Sequence, residues 1–248
     1  MPFTTVAFHK AAVSATLLPL AGVADQHVTV VGNDLTIPDL NFLVAALIFG
    51  NAPTQAQIQT PNLRRLVLED IGKMIATETC AGAVDVLVDR REDPLELVAS
   101  EKLNVYTIHT LDGWALIWLA DGPVAPVHGD IHTVRATTGH TTAADIWENV
   151  ALTLTQTLPA GRYQVVGMRA YGTALLAARL VFVGGVWRPG VPAGVNINAV
   201  EVPQFKKGRF GVFGEFEFDQ PPSVDLLGTG VTSAEQIFLD LIQIRAGR

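Results

Sequence analysis

The stretch LPAGRYQV, residues 158–165, indicates the fold class of this chain. Pro159 and Gly161 are residues typical of turns, and Tyr163 and Val165 follow them with a spacing of two. This spacing places the two side chains on one face of a half-buried strand. A turn followed at once by an alternating strand predicts antiparallel β-structure in this part of the chain.

The same alternation recurs along the chain. Further strands are predicted at Val28 and Val30, at Val84, Val86 and Val88, at Val105 and Thr107, at Trp114, Leu116 and Trp118, at Val150, Leu152 and Leu154, and at Phe210, Val212, Phe216 and Phe218. A spacing of about 8–12 residues between strands is typical of sandwiches and barrels. Since strands do not alternate regularly with helices, the sequence predicts an all-β chain with a dozen or more strands.

Helical patterns are weaker, and few short helices are expected. Leu63, Leu66, Val67 and Ile71 have helical spacing, but Leu66 and Leu68 also fit a strand. The segment 141–145 fits a capped short helix or the start of a strand. Residues 233–244 begin like a capping box, yet Ile242 and Ile244 fit the end of a strand equally well.

Composition points to extensive contact between copies of the chain. Of the 248 residues, 49% are hydrophobic and only 17% are charged, whereas the usual charged share is about 25%. The longest apolar run, Phe42–Gly50, is far shorter than the ~20 residues of a membrane-spanning helix. No secretory signal is predicted, because Pro19 interrupts the short apolar run after Lys10. We therefore expect a subunit that covers much of its surface with copies of itself.

Charge argues against direct binding to nucleic acid. The net charge is −7, and the basic clusters at Arg64-Arg65, Arg90-Arg91 and Lys206-Lys207-Arg209 are short. Cys80 is the only cysteine, so an internal disulfide is impossible and the chain suits a reducing compartment.

One group of residues has a spacing that suits metal binding. His128, Asp130 and His132 would point to one side of an extended strand, and two histidines with a carboxylate can form a facial metal site. His140 follows eight residues later. The alternative is a polar, solvent-facing loop and strand start after Pro126. We favour this alternative and predict no metal and no cofactor.

Catalytic motifs are absent from the sequence. It contains neither a Gly-x-Ser-x-Gly nucleophile elbow nor a glycine-rich phosphate loop. Glu215 and Glu217 share a strand face and could act as an acid and a base, but a solvated face opposite Phe216 and Phe218 explains them as well. We predict no catalytic residues.

Several segments resemble a known protein family. They are residues 61–66, 158–170, 177–182, 187–190, 208–216 and the pair Pro221-Pro222. Together they resemble the major capsid proteins of small icosahedral DNA viruses, including bacteriophages with an internal membrane. The resemblance implies a double jelly roll with two eight-stranded antiparallel β-barrels. The glycine- and proline-containing segment 121–126 lies near the middle of the chain, so we expect the first barrel over about residues 1–124 and the second over about residues 125–248.

The resemblance also implies a function and partners. Three chains would form a pseudo-hexagonal capsomer of the virus shell, so the partners would be two further copies and other capsid proteins. Direct contact with nucleic acid is not expected from the charge of the chain, and any contact with an internal membrane would be indirect. The protein would reside in the virion after assembly in the host cytoplasm. Within this interpretation, Arg162, Arg169, Arg179 and Arg188 either pair with acids across subunits or are ordinary solvated charges.

Two alternatives remain open at this point. One is a metal-dependent, cupin-like β-barrel enzyme that uses His128, Asp130 and His132, although the usual cupin spacing is not matched. The other is a different virion or phage-tail component, or a carbohydrate-binding jelly roll. The tryptophans available to stack on a sugar are Trp114, Trp118, Trp147 and Trp187.

Overall fold

The computed structural model shows an all-β protein, which confirms the predicted class. It describes residues 3–11, 14–25, 28–36, 42–50, 55–60, 69–70, 88–98, 102–110, 112–194 and 203–247. In these ranges the only helical element is a 3-10 turn at Pro203–Phe205, and no helix is long and apolar enough to cross a membrane. The ambiguous segment 63–71, apart from residues 69 and 70, lies outside them, as do Cys80, Val84 and Val86.

The chain divides into two compact units. The N-terminal unit comprises Thr5–Pro123, and the C-terminal unit comprises Val124–Arg248 together with Phe3 and Thr4. Each unit is built on its own antiparallel sheets.

The N-terminal unit contains two six-stranded sheets. Its strands are β1 (Phe3–Ala11, from residue 5 onward), β2 (Ser14–Pro19), β3 (Ala21–Gly22), β4 (Thr29–Val31), β5 (Asp34–Thr36), β6 (Phe42–Gly50), β7 (Gln55–Gln59), β8 (Glu69–Asp70), β9 (Val88–Asp89), β10 (Leu95–Glu96), β11 (Lys102–His109) and β12 (Asp112–Ala120). One sheet has the order β10-β6-β12-β1-β3, with β9 also on β6. The other has the order β4-β5-β11-β7-β8, with β2 also on β11.

The pair β6 and β12 forms the apolar centre of the N-terminal unit. The two strands pair antiparallel from Phe42 opposite Ala120 to Gly50 opposite Gly113. Nearly every residue of both strands is buried, which explains why the Phe42–Gly50 run is apolar without alternation. Burying a side chain such as that of Phe49 or Trp118 contributes about 1.5–3 kcal/mol.

The C-terminal unit contains one seven-stranded sheet. Its strands are β13 (His132–Thr137), β14 (Trp147–Val150), β15 (Thr153–Leu154), β16 (Gly161–Val181), β17 (Gly190–Gly194), β18 (Gly214–Glu217) and β19 (Ser223–Ala246). The order is β15-β13-β19-β16-β17, and β14 also pairs with β19 while β18 also pairs with β16.

The two long strands β16 and β19 form the frame of the C-terminal unit. They pair antiparallel from Gly161 opposite Ala246 to Val181 opposite Ser223, with register shifts at residues 162–163 and 165–167 and a group of three between residues 171 and 177. The shifts divide each strand into two parts that hold different neighbours. The first part of β16 pairs with β18 and its later part mainly with β17. The open question about residues 233–244 is therefore resolved in favour of a strand.

The strand predicted over residues 210–218 is only partly correct. Gly214–Glu217 form β18, but Phe210 and Phe213 lie before it and are buried in an aromatic cluster. Their rings contact the Phe3 ring edge-on with centroid distances of 5.0 and 4.9 Å. The spacing of these phenylalanines therefore reflects packing into the core rather than strand alternation.

We expect the close approach at Gly167 to limit substitution. A Cβ atom there would lie 2.6 Å from Oδ2 of the buried Asp240 and 2.8 Å from the backbone nitrogen of Lys207. Gly167→Ala should lower the free energy of unfolding by about 1–3 kcal/mol, as overpacking does elsewhere. Urea unfolding followed by circular dichroism measures this loss. Gly230→Ala is the control, because no atom other than those of Gly230 and its two chain neighbours lies within 4 Å of the position that its methyl group would take. Equal losses in the two variants would contradict the prediction.

Candidate functional site

The three candidate metal ligands do not lie on one strand. His132 is the first residue of β13, whereas His128 and Asp130 precede the strand and flank a bend at Gly129. The extended geometry that would align the three side chains is therefore missing. No three His, Cys, Asp or Glu side chains in the described ranges are grouped so that they could hold a metal ion.

His140 instead lies against Glu148 on β14. Its Nε2 contacts Oε2 of Glu148, and the backbone N–H of Ala143 donates to Oε1 at 3.0 Å. The hydrogen bond from His140, followed by the one from Ala143, lowers the pKa of Glu148 from its ordinary value. The segment 141–145 between the two partners is neither helix nor regular strand, since it contributes a single bridge from Ala144 to Gly228.

The acidic pair on β18 is engaged in ion pairs. Glu215 accepts from Arg162 at 2.7 Å and from Gln164 at 3.2 Å. Glu217 pairs with Arg245 at 2.9 Å. These partly exposed pairs link β18 to β16 and β19.

The four tryptophans are divided between the two units. Trp114 and Trp118 lie on β12 and are buried in the N-terminal unit. His9 stacks on Trp114 with a centroid distance of 3.6 Å. Trp147 and Trp187 belong to the C-terminal unit and are half-buried.

A buried ionic row crosses β16, β19 and β14. Arg179 and Asp225 are directly opposite each other, and Asn149 is opposite Asp225 on its other side. Arg179 donates to Asp225 Oδ2 at 2.9 Å, Asn149 donates to Oδ1 at 2.8 Å, and the Arg179 guanidinium lies 3.8 Å from the centroid of the Trp147 ring. Arg179 is only 1% exposed. Removing either partner, or shifting the register so that the two separate, would leave a buried charge without its counterion.

A second row is centred on Asp240, which is fully buried. Thr133 on β13 and Gly167 on β16 are its opposite neighbours. The carboxylate accepts hydrogen bonds from the Thr133 hydroxyl at 2.6 Å, from the backbone N–H of Lys207 at 2.8 Å and from Arg169 at 3.2 Å. These three donors satisfy the buried charge.

The arginines therefore find partners within their own chain. Arg162, Arg169 and Arg179 pair with Glu215, Asp240 and Asp225, and Arg188 lies 3.9 Å from Asp225. Neither expected role, pairing across subunits or ordinary solvation, holds for the buried Arg179. The two aspartates were not predicted from the sequence, although an isolated acid within an apolar strand, as in residues 237–241, is a usable signal.

A basic cavity of about 350 Å³ adjoins the Asp240 row. It is lined by Arg169, Lys206, Lys207, Arg209 and Asp240. Burial, followed by the positive charge of Arg169, lowers the pKa of Lys206. The lining residues come from β16, β19 and the turn after Pro203–Phe205.

Comparisons with known proteins assign no family. No protein-family model and no curated protein matches the chain. Among solved structures, a Paenibacillus xanthan lyase is similar over 98% of this chain, with 10% sequence identity and a TM-score of 0.22. The chain spans about a quarter of the length of that protein. A similarity at this level does not carry an argument about fold or activity.

We expect the buried ion pair to contribute far more stability than the exposed one on the same strand. Arg179→Met should lower the free energy of unfolding by about 3 kcal/mol, because it leaves the buried Asp225 without its main counterion. This value is the lower end of the range for a broken buried pair, since Asn149 and Arg188 still lie near Asp225. Arg162→Met, which breaks a half-exposed pair, should cost less than about 1 kcal/mol. Urea unfolding of both variants measures the difference, and similar losses would contradict a structural role for the buried row.

The pair of His140 and Glu148 predicts a pH dependence of stability. Because the pKa of Glu148 is lower in the folded chain than in the unfolded chain, its ionised form stabilises the fold. This stabilisation is fully present above the unfolded pKa, about 4.3, and is lost as the pH falls through the folded pKa. The urea midpoints of the wild type and Glu148→Gln should differ at about pH 5–7, where Glu148 is ionised in the folded chain. The two midpoints should converge in stronger acid. A difference independent of pH would contradict this account.

Proposed function

We propose that this chain is a major capsid subunit of an icosahedral virus shell. In this proposal each unit is one jelly roll, and three chains form a pseudo-hexagonal capsomer. The observation that carries the proposal is that a single chain folds into two compact antiparallel β units of similar length. Three copies would supply six such units around one axis.

The distribution of charge supports a structural role. The buried acids Asp225 and Asp240 each bond to partners on neighbouring strands and stabilise the sheet. Glu215 and Glu217 also pair across strands. A rigid sheet with internal ion pairs suits a subunit that must keep its shape under assembly contacts.

Exposed apolar side chains support contact between copies. In the C-terminal unit, Ile146, Val183, Val186 and Val231 are each more than half exposed. Single exposed apolar residues are common on protein surfaces, but here they accompany a charged share of only 17%. Large subunit interfaces are enriched in such apolar surface.

The native mass of the purified protein tests the proposal. Light scattering after size exclusion should give three times the 26.5 kDa chain mass. A stable monomer would contradict the proposal.

Charged substitutions then locate the contact. At least one of Val183→Asp, Val186→Asp and Val231→Asp should dissociate the trimer while leaving the far-ultraviolet circular dichroism unchanged, because a charge buried at an interface is strongly unfavourable. Gln156→Asp is the matched control, since it adds the same charge at an exposed polar position. Dissociation by the control variant would show a general effect of charge rather than a specific contact.

A further inference from the structure

We propose that the basic cavity beside Asp240 binds a phosphate group, either as free phosphate or as a phosphate monoester. Its five lining side chains carry four positive charges and one negative charge, although the whole chain has a net charge of −7. Positive charge is therefore concentrated at this point against the overall balance. A volume of about 350 Å³ lies at the small end of ligand pockets.

The turn that supplies three of the cations is fixed before any ligand binds. The backbone N–H of Lys207 donates to Asp240 at 2.8 Å, and the N–H of Gly208 donates to the Val166 carbonyl at 2.6 Å. Lys207 and Gly208 both have positive φ, 48° and 75°. The turn can approach β16 this closely because Gly167 has no side chain. A pre-ordered turn reduces the entropy that binding would otherwise cost.

Asp240 positions the cations rather than competing for the ligand. Its carboxylate already accepts hydrogen bonds from Thr133, Arg169 and the Lys207 backbone. The Arg169 guanidinium is thereby held at the cavity. The turn that is anchored by the Lys207 N–H places Lys206, Lys207 and Arg209 along the same cavity.

The chemistry of the lining favours a phosphate over a single carboxylate. Guanidinium groups bind phosphate oxygens through paired N–H donors, and lysines add point charges. Burial and the neighbouring Arg169 lower the pKa of Lys206, so a bound dianion would relieve repulsion among the cations. A dianionic phosphate meets this requirement better than a monoanion.

Calorimetric titration of the full chain with inorganic phosphate tests the site. Saturable binding of one phosphate per chain is expected, with affinity that falls as salt is added. Lys206→Gln and Arg209→Gln should each weaken binding about tenfold or more, which corresponds to about 1.4 kcal/mol. Arg169 is left unchanged because it pairs with buried Asp240. Arg135→Gln is the control, since it removes an exposed charge of the same unit on β13.

The result that would overturn the proposal is the absence of saturable binding at millimolar phosphate, or equal weakening in Arg135→Gln. Glycerol phosphate and vesicles containing phosphatidic acid, compared with phosphatidylcholine vesicles, distinguish a soluble phosphate from a lipid headgroup. Binding of either source supports the site. The outcome is independent of the capsid proposal, since a trimer that fails to bind phosphate overturns only this inference and a monomer that binds it overturns only the other.

Discussion

The antiparallel pairing of β16 with β19 is the interaction on which the C-terminal unit depends. The other strands attach to this pair: β13 and β14 to β19, β17 and β18 to β16, and β15 to β13. Because the pairing runs from Gly161 opposite Ala246 to Val181 opposite Ser223, a slip by one residue would move every side chain of one strand to the opposite face. Both buried ionic rows lie on this pair and hold it in register.

The two rows follow one plan with different consequences. In each, an aspartate on β19 lies between residues of β16 and an outer strand. At Asp225 the opposite residue is Arg179, and the two charges pair directly with each other. At Asp240 the opposite residue is Gly167, and the space left by its missing side chain admits the Lys207 turn. The second row therefore creates a basic cavity where the first creates only a buried pair.

Local patterns in the sequence predicted the fold class but not the ionic rows. The alternation of Tyr163 and Val165 after a turn located the start of β16, since strand formation follows from neighbouring residues. Arg179 and Asp225 are 46 residues apart, and nothing in either neighbourhood specifies that pairing. His128, Asp130 and His132 show the same limit, because aligning their side chains requires an extended backbone, and β13 begins only at His132.

Most of the charged groups described in the C-terminal unit pair within its own sheet, which is compatible with the proposed role as a shell subunit. Electron microscopy of the native particles tests the central claim most directly. Class averages with threefold symmetry and six similar lobes are expected if three chains each contribute two β units. Two-lobed particles of single-chain size, or particles without a threefold axis, would contradict the account.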